Sequence, residues 1–329
     1  MPMKIDAHNH FLPDTVIEHI RKHKDRFQTE VVVKDGREFL WDHAGILYPL
    51  YREYYDLEAK TADLDKMGVD MAVLSIVPNA YYYWIDGEAA LEIHRMSNDW
   101  VSAFCAAHPE RFRGMASIPM QEPELALEEL RRAHETLGLN ALAIAPMINE
   151  THLDAEAFDP IYQYCGEHEI LLHLHPCFSK CREELRSYYN TNLVGNVYQT
   201  NLGLNHLIFG GVFEKHPGLK VFASHGGGYF PYQMGRLRHG YSVREEPHAH
   251  ISKSPELYAD HLYFDTITHW PAALQFLADQ FGSDHVLLGT DYPFDMGDYQ
   301  PVEHVEALRL TARERRDICG GNAARLFRI

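Results

Sequence analysis

At 329 residues the chain has room for one large α/β domain or two ordinary ones, and 46% apolar residues support a substantial core. A formal charge of −17 disfavours polynucleotide partners, because phosphates are repelled, but leaves anionic small molecules open, since these respond to the local charge of a site. The opening MPMKID has no apolar signal-peptide core, and no stretch approaches the roughly 20 apolar residues that cross a bilayer, so no membrane partner is expected.

Cys105, Cys165, Cys177, Cys181 and Cys319 are odd in number and scattered, which fits a reduced, cytoplasmic protein better than a disulfide framework. Cys177 and Cys181 lie close together, yet no second Cys/His pair stands at structural-zinc spacing.

Apolar runs of strand length alternate with longer amphipathic segments. The first strand is MKIDAH. The inserted TEVVVKDGREFLWD (29–42) alternates around Asp35-Gly36, a hairpin signal, so residues 28–45 are expected to form a small β excursion. A helix over 56–68 ends at Gly68, a C-cap signal. Further strands are expected at 70–77, 112–118, 140–146, 169–175, 220–225, 262–266 and 285–291. Helical patterns fall at 87–109, 123–138, 154–169, 205–218, 271–282 and 311–327, and the polar, aromatic stretch 176–204 suits an active-site loop.

Eight strands alternating with helices predict parallel βα units, and eight closes a (β/α)8 TIM barrel, here a single domain over 1–329 with the hairpin inserted after strand 1. A doubly wound open sheet is the alternative, weakened because no G-x-G-x-x-G follows the first strand.

Residues two apart on a strand share a face, so His8 and His10 point together, with Asp6. In a barrel the C-terminal strand ends form the active-site face. LLHLHP ends the fifth strand with His173 and His175, FASHGGG ends the sixth with His225, and LLGTDYPF ends the eighth with Asp291. A buried Asp291 is costly unless it is paired or holds a metal. Imidazoles plus one carboxylate suit zinc, or a similar divalent ion such as manganese. The glycines of HGGG permit close approach of the backbone to a ligand.

This set of motifs resembles the amidohydrolase superfamily. More narrowly, HGGG…GR and DYPF resemble its branch of α-amino-β-carboxymuconate-ε-semialdehyde decarboxylase and related aromatic-acid decarboxylases. The match runs from DAHNHF to GGNAARLF. The resemblance implies one divalent ion held by His8, His10, His175 and Asp291, with His225 as the catalytic histidine and Asp291 as a second candidate base. It implies that Arg236, in YQMGR, grips a substrate carboxylate across the interface of a homodimer.

Two positions depart from the branch. Its second carboxylate-binding arginine falls on Tyr48, and Arg52, one helical turn on, is the candidate replacement. His173 stands where the branch is apolar, as a neighbour of the ligands, a substrate contact or a packed core residue. The aromatic cluster NAYYYW (79–84), Tyr188-Tyr189 and His269-Trp270 are candidates for lining the pocket.

The resemblance favours a metal-dependent, non-oxidative decarboxylase (a carboxy-lyase) of an aromatic or unsaturated carboxylic acid. The alternative on the same scaffold is a hydrolase of an amide, lactone or ring carbonyl, or a hydratase.

Overall fold

The computed structural model describes residues 3–178 and 182–329, so Cys181 lies outside the described residues. Eight short strands run parallel in a ring. They are β1 (Ile5–Phe11), β2 (Met71–Ile76), β3 (Phe112–Gly114, continued by Ala116–Ser117), β4 (Ala141–Ile144), β5 (Leu171–Leu174), β6 (Val221–Ala223), β7 (Leu262–Asp265) and β8 (Val286–Leu287).

β1 pairs with β2, Ile5 opposite Met71 and His10 opposite Ser75. The third strand breaks at Met115. Its first half pairs with β2 and its second with β4. From β4 the ladder continues through β5, β6 and β7 to β8. Closure comes from Ala7 N–H to Leu288 O at 2.8 Å and His10 N–H to Tyr292 O at 2.8 Å. The result is a barrel of the (β/α)8 type. Its strands are buried on both faces, so they read as near-continuous apolar runs.

Helices wrap the barrel, and two begin at aspartate caps. Asp56 accepts from Ala59 N–H at 2.9 Å and Asp86 from Ala89 N–H at 3.2 Å, each satisfying a donor that the first helical turn leaves free.

Beside the barrel, Thr29–Lys34 pairs antiparallel with Arg37–Asp42, Lys34 opposite Arg37. Asp35 (φ 52°) and Gly36 (φ 74°) make the two-residue turn, whose backbone twist matches paired strands. Leu47–Pro49 adds a third strand, placing Tyr48 opposite Leu40.

The structure departs from the sequence reading in three places. The stretch 176–204 is not all loop: a π-turn at Thr191–Asn196 leads into a helix over Val197–Phe209. Its buried face includes Gln199 and Thr200, and Gly203 packs against Pro146, so it lacks a clean apolar stripe. The helix expected over 311–327 is divided by a π-turn at Asp317–Gly321. Helices at Asp14–Lys22 and Phe230–Val243 add to the predicted set.

Candidate active site

His8 and His10 lie in the second half of β1, where a register irregularity between Asp6 and Asn9 adjusts the strand. Each offers its Nε2 to one point. His10 Nε2 is 2.9 Å from Asp291 Oδ1, His8 Nε2 3.3 Å and His175 Nε2 3.7 Å. One ligand atom from each of His8, His10, His175 and Asp291 falls within 4.8 Å of the other three, and all four residues are buried. The expected ligand set is thus brought together from β1, the end of β5 and the turn after β8.

The surroundings fix which ring nitrogen is free. His8 Nδ1–H donates to Asp265 Oδ2 at 2.7 Å, and His175 Nδ1–H donates to the Pro176 carbonyl at 3.0 Å. Both partners are acceptors, so both lone pairs stay on Nε2, facing the cluster. His175 Nε2 is buried with no hydrogen-bond partner. Three inward-facing nitrogens and one carboxylate suit a divalent ion of the zinc or manganese type.

The charges lead to the same reading. Burial pulls His10 down to about 4, against the pull of Asp291. Burial also holds His173 and His175 well below the usual range. At His8 the burial penalty is overcome by Asp291 and Asp265, which push it up to about 10. Burial works against ionised Asp291, yet the His8 charge and the His10, His175 and His225 imidazoles around it hold it well below the usual carboxylate range. Without a cation, a proton on His8 balances Asp291; an ion bound here would take over that role.

Sequence reasoning missed Asp265. Its Oδ2 accepts from His8 Nδ1 and from His225 N–H at 2.8 Å, and its Oδ1 from Gly226 N–H at 2.7 Å. One carboxylate therefore orients a member of the candidate metal cluster and the turn that carries His225. The signal was present: like Asp291, Asp265 is an acid at the end of an apolar strand.

Asp6 serves the other side. It accepts from His8 N–H at 3.0 Å, Asn9 Nδ2 at 2.8 Å and Thr290 Oγ1 at 2.6 Å. Buried Lys60 donates to Asn9 Oδ1 at 3.0 Å and to the His10 carbonyl at 2.8 Å. The ligand strand is thus anchored from below by partnered polar groups.

His225 sits after β6 with φ 58°, at the head of a turn in which Gly226, Gly227 and Gly228 also have positive φ. A Cβ on Gly228 would collide with the Val197 carbonyl, so this residue type is required there. The turn brings His225 Nε2 to 3.4 Å from Asp291 Oδ2 and leaves the side chain 14% exposed. It is therefore next to the ligand cluster and open to a bound molecule.

Two cavities meet at His225 and Asp291. One, of about 610 Å³, is lined by Ile267, Trp270, Phe276 and Tyr232. The other, of about 580 Å³, includes His175, Tyr48, Tyr51 and Phe294. Tyr48 therefore faces the site.

Arg52 does not line either cavity. Its side chain is 66% exposed and bridges Asp56 at 2.6 Å, because a residue one turn from Tyr48 belongs to the helix entry rather than to the cavity wall. His173 is fully buried, stacked on Phe222 at 4.8 Å, with Nε2 2.9 Å from Ser224 Oγ. Of its three candidate roles, contact with substrate has no support from this position, since it lines neither cavity. Arg236 is exposed on Phe230–Val243 and lines neither cavity of its own chain.

Tyr81, Tyr82 and Tyr83 are buried and line neither cavity. Tyr189 and Trp270 each line a cavity.

His225 and a potential metal-binding cluster thus stand together at barrel strand ends. The Amidohydrolase family (Amidohydro_2) matches residues 5–329. The chain belongs to this amidohydrolase family. Among relatives, it is 34% identical over 271 residues to 2-amino-3-carboxymuconate-6-semialdehyde decarboxylase of Dictyostelium discoideum, covering 82% of this chain and 76% of that protein. It is 26% identical to a gamma-resorcylate decarboxylase of Polaromonas, covering 93% and 97%. The amidohydrolase fold is shared with the solved 5-carboxyvanillate decarboxylase of Novosphingobium aromaticivorans, complexed with manganese and 4-hydroxy-3-methoxy-5-nitrobenzoic acid. That likeness has a TM-score of 0.85 at 25% identity and covers 100% of this chain and 96% of that one.

Proposed function

We propose that this protein is a metal-dependent, non-oxidative decarboxylase of an aromatic or unsaturated carboxylic acid. The observation that carries the reading is the placement of His225 beside the ligand cluster, where two cavities meet, in a chain whose named relatives are decarboxylases.

His8, His10, His175 and Asp291 would hold the ion, with zinc as the expected resident and manganese as the alternative. When bound, such an ion supplies Lewis acidity toward an oxygen of the substrate. His225 Nε2 moves a proton to the carbon bearing the carboxylate. The carbon–carbon bond then breaks, its electron pair restores the unsaturated system, and CO2 leaves without oxidation. Asp265 holds the His225 turn and the His8 ring in place through this change. Burial of the cluster excludes bulk water and strengthens its electrostatics.

The reading includes a homodimer. Arg236 is exposed on its helix, and from there it would reach the cavity of the neighbouring protomer to grip a carboxylate. No helix among the described residues is long and apolar enough to cross a membrane. Cys105, Cys165, Cys177 and Cys319 are free, which supports a reducing, cytoplasmic setting.

The test is elemental analysis of the purified protein, followed by a panel of hydroxy- and amino-aromatic acids. The reading expects about one divalent ion per chain, the stoichiometry of a four-ligand site, and release of CO2. Consumption of base with amides or lactones, and no CO2 from any acid, would replace it with the hydrolase reading.

A further inference from the structure

His173 is fully buried beside the candidate metal cluster and lines neither cavity, so it stands clear of a molecule bound there. Its ring stacks on Phe222 at 4.8 Å and meets His8 edge-on at 4.9 Å. Among the described residues its Nδ1 has no hydrogen-bond partner, and its Nε2 lies 2.9 Å from Ser224 Oγ.

That contact joins two strands. His173 stands opposite Phe222 in the β5–β6 ladder, and Phe222 and Ser224 share a face, so the imidazole reaches one step along its neighbour. Both side chains are buried, and each is the other's polar partner among the described residues. Separating them would leave a buried hydroxyl and a buried imidazole unsatisfied, which holds the pair together.

Ser224 is the residue before His225. Its N–H donates to the Leu174 carbonyl at 3.2 Å, and its carbonyl accepts from Gly227 N–H at 3.1 Å, so it starts the turn that presents His225. His225 has φ 58°, a left-handed conformation that a residue with a Cβ keeps only where its surroundings impose it. Asp265 imposes it from β7, through His225 N–H and Gly226 N–H. His173 is the matching hold from β5, at the entry to the turn.

We propose that His173 is a positioning residue for His225: through Ser224 it fixes the entry to the turn and so keeps His225 Nε2 at 3.4 Å from Asp291. An apolar side chain at 173 cannot supply this hold. The consequence for turnover rests on the decarboxylase reading; the hold on the turn does not.

The first test needs no substrate. Amide hydrogen exchange of the metal-loaded full chain, read by mass spectrometry, compares the wild type with Ser224→Ala and with His173→Phe, which keeps an aromatic ring and loses the nitrogens. Peptides spanning 225–228 are expected to exchange about tenfold faster in both variants, while those of β1 keep the wild-type rate. His173→Gln, whose carboxamide can still meet the hydroxyl, should restore most of the protection. The second test reads CO2 release from gamma-resorcylate and salicylate. In His173→Phe, kcat should fall about tenfold with KM within about twofold and metal content unchanged. Adding Ser224→Ala to His173→Phe should cost no more than either alone, because the two act as one pair.

Wild-type exchange at the turn in His173→Phe, a rise shared by every peptide, or an unchanged kcat beside a loosened turn overturns the proposal and leaves the decarboxylase reading standing. No CO2 from any acid of the panel with the wild type overturns the decarboxylase reading, and faster exchange confined to the turn then keeps His173 as its anchor.

Discussion

The floor of the site and its rim are built differently. On the floor, Asp6, Asn9, Lys60, Thr290 and Asp265 are buried, and each has partners within about hydrogen-bond distance, down to 2.6 Å for Thr290 Oγ1 to Asp6. On the rim, Arg37 lines the cavity with no side-chain ion pair among the described residues, Tyr48 presents its ring to the cavity, and Tyr188 and Tyr189 are largely exposed. A partnered, buried network holds atoms in one arrangement, because every alternative leaves a polar group unsatisfied. A rim of loosely tied side chains can be changed at little cost to folding. The floor is therefore suited to hold a fixed reaction geometry, and the rim is suited to vary with the substrate.

Substitutions can break that division, and the largest effect is expected at His225, the proposed acid/base. His225→Asn is expected to lower kcat by roughly 10²–10⁴-fold while elemental analysis finds the metal content unchanged. Loss of the ion would move His225 into the ligand set. Asp265→Asn is expected next. It should weaken metal binding by roughly 10–100-fold in a competitive chelator titration, because His8 loses its orienting acceptor. Wild-type affinity in that variant would remove Asp265 from the floor.

Arg236→Ala tests the rim. A rise in KM of about tenfold for a carboxylate substrate, with kcat little changed, is the signature of lost binding rather than lost chemistry. An unchanged KM would take Arg236 out of the site.

The smallest effect is on stability. His94 is buried between Ser117 Oγ at 2.9 Å and the Tyr81 carbonyl at 3.1 Å, and burial pulls it down to about 3. The folded chain keeps it neutral, whereas the unfolded chain takes up a proton below about 6.5. Its contribution is therefore complete above pH 6.5 and is lost as pH falls toward 3, at about 1.4 kcal/mol per pH unit. Urea unfolding from pH 7 to pH 5 should show that slope reduced by one proton in His94→Gln, and an identical slope would show that another group carries it.

Much of the floor was legible because its signals are local. H-x-H needs only the two-residue period of a strand, and S-H-G-G-G needs only glycines where the backbone must turn with positive φ. Asp265 was not legible as a partner. It meets His8 across 257 residues of sequence, and an acid at a strand end looks the same whether it ligates or orients. Where Arg52 points was hidden for a related reason: helical spacing from Tyr48 does not say that Asp56 waits one turn on. The helix at Val197–Phe209 was hidden because its inner face includes polar groups such as Gln199, which accepts from Cys177 N–H at 3.1 Å.

The sequence by itself determined the alternating βα plan, the strand ends that carry the imidazoles and carboxylates, and the family, since strand period, apolar runs and glycine turns are set by neighbours along the chain. Only the tertiary structure decided which nitrogen each histidine presents, which acid ligates and which orients, and which arginine reaches the cavity. Those depend on groups that become neighbours when the barrel closes, and a buried charge takes its role from what it meets there.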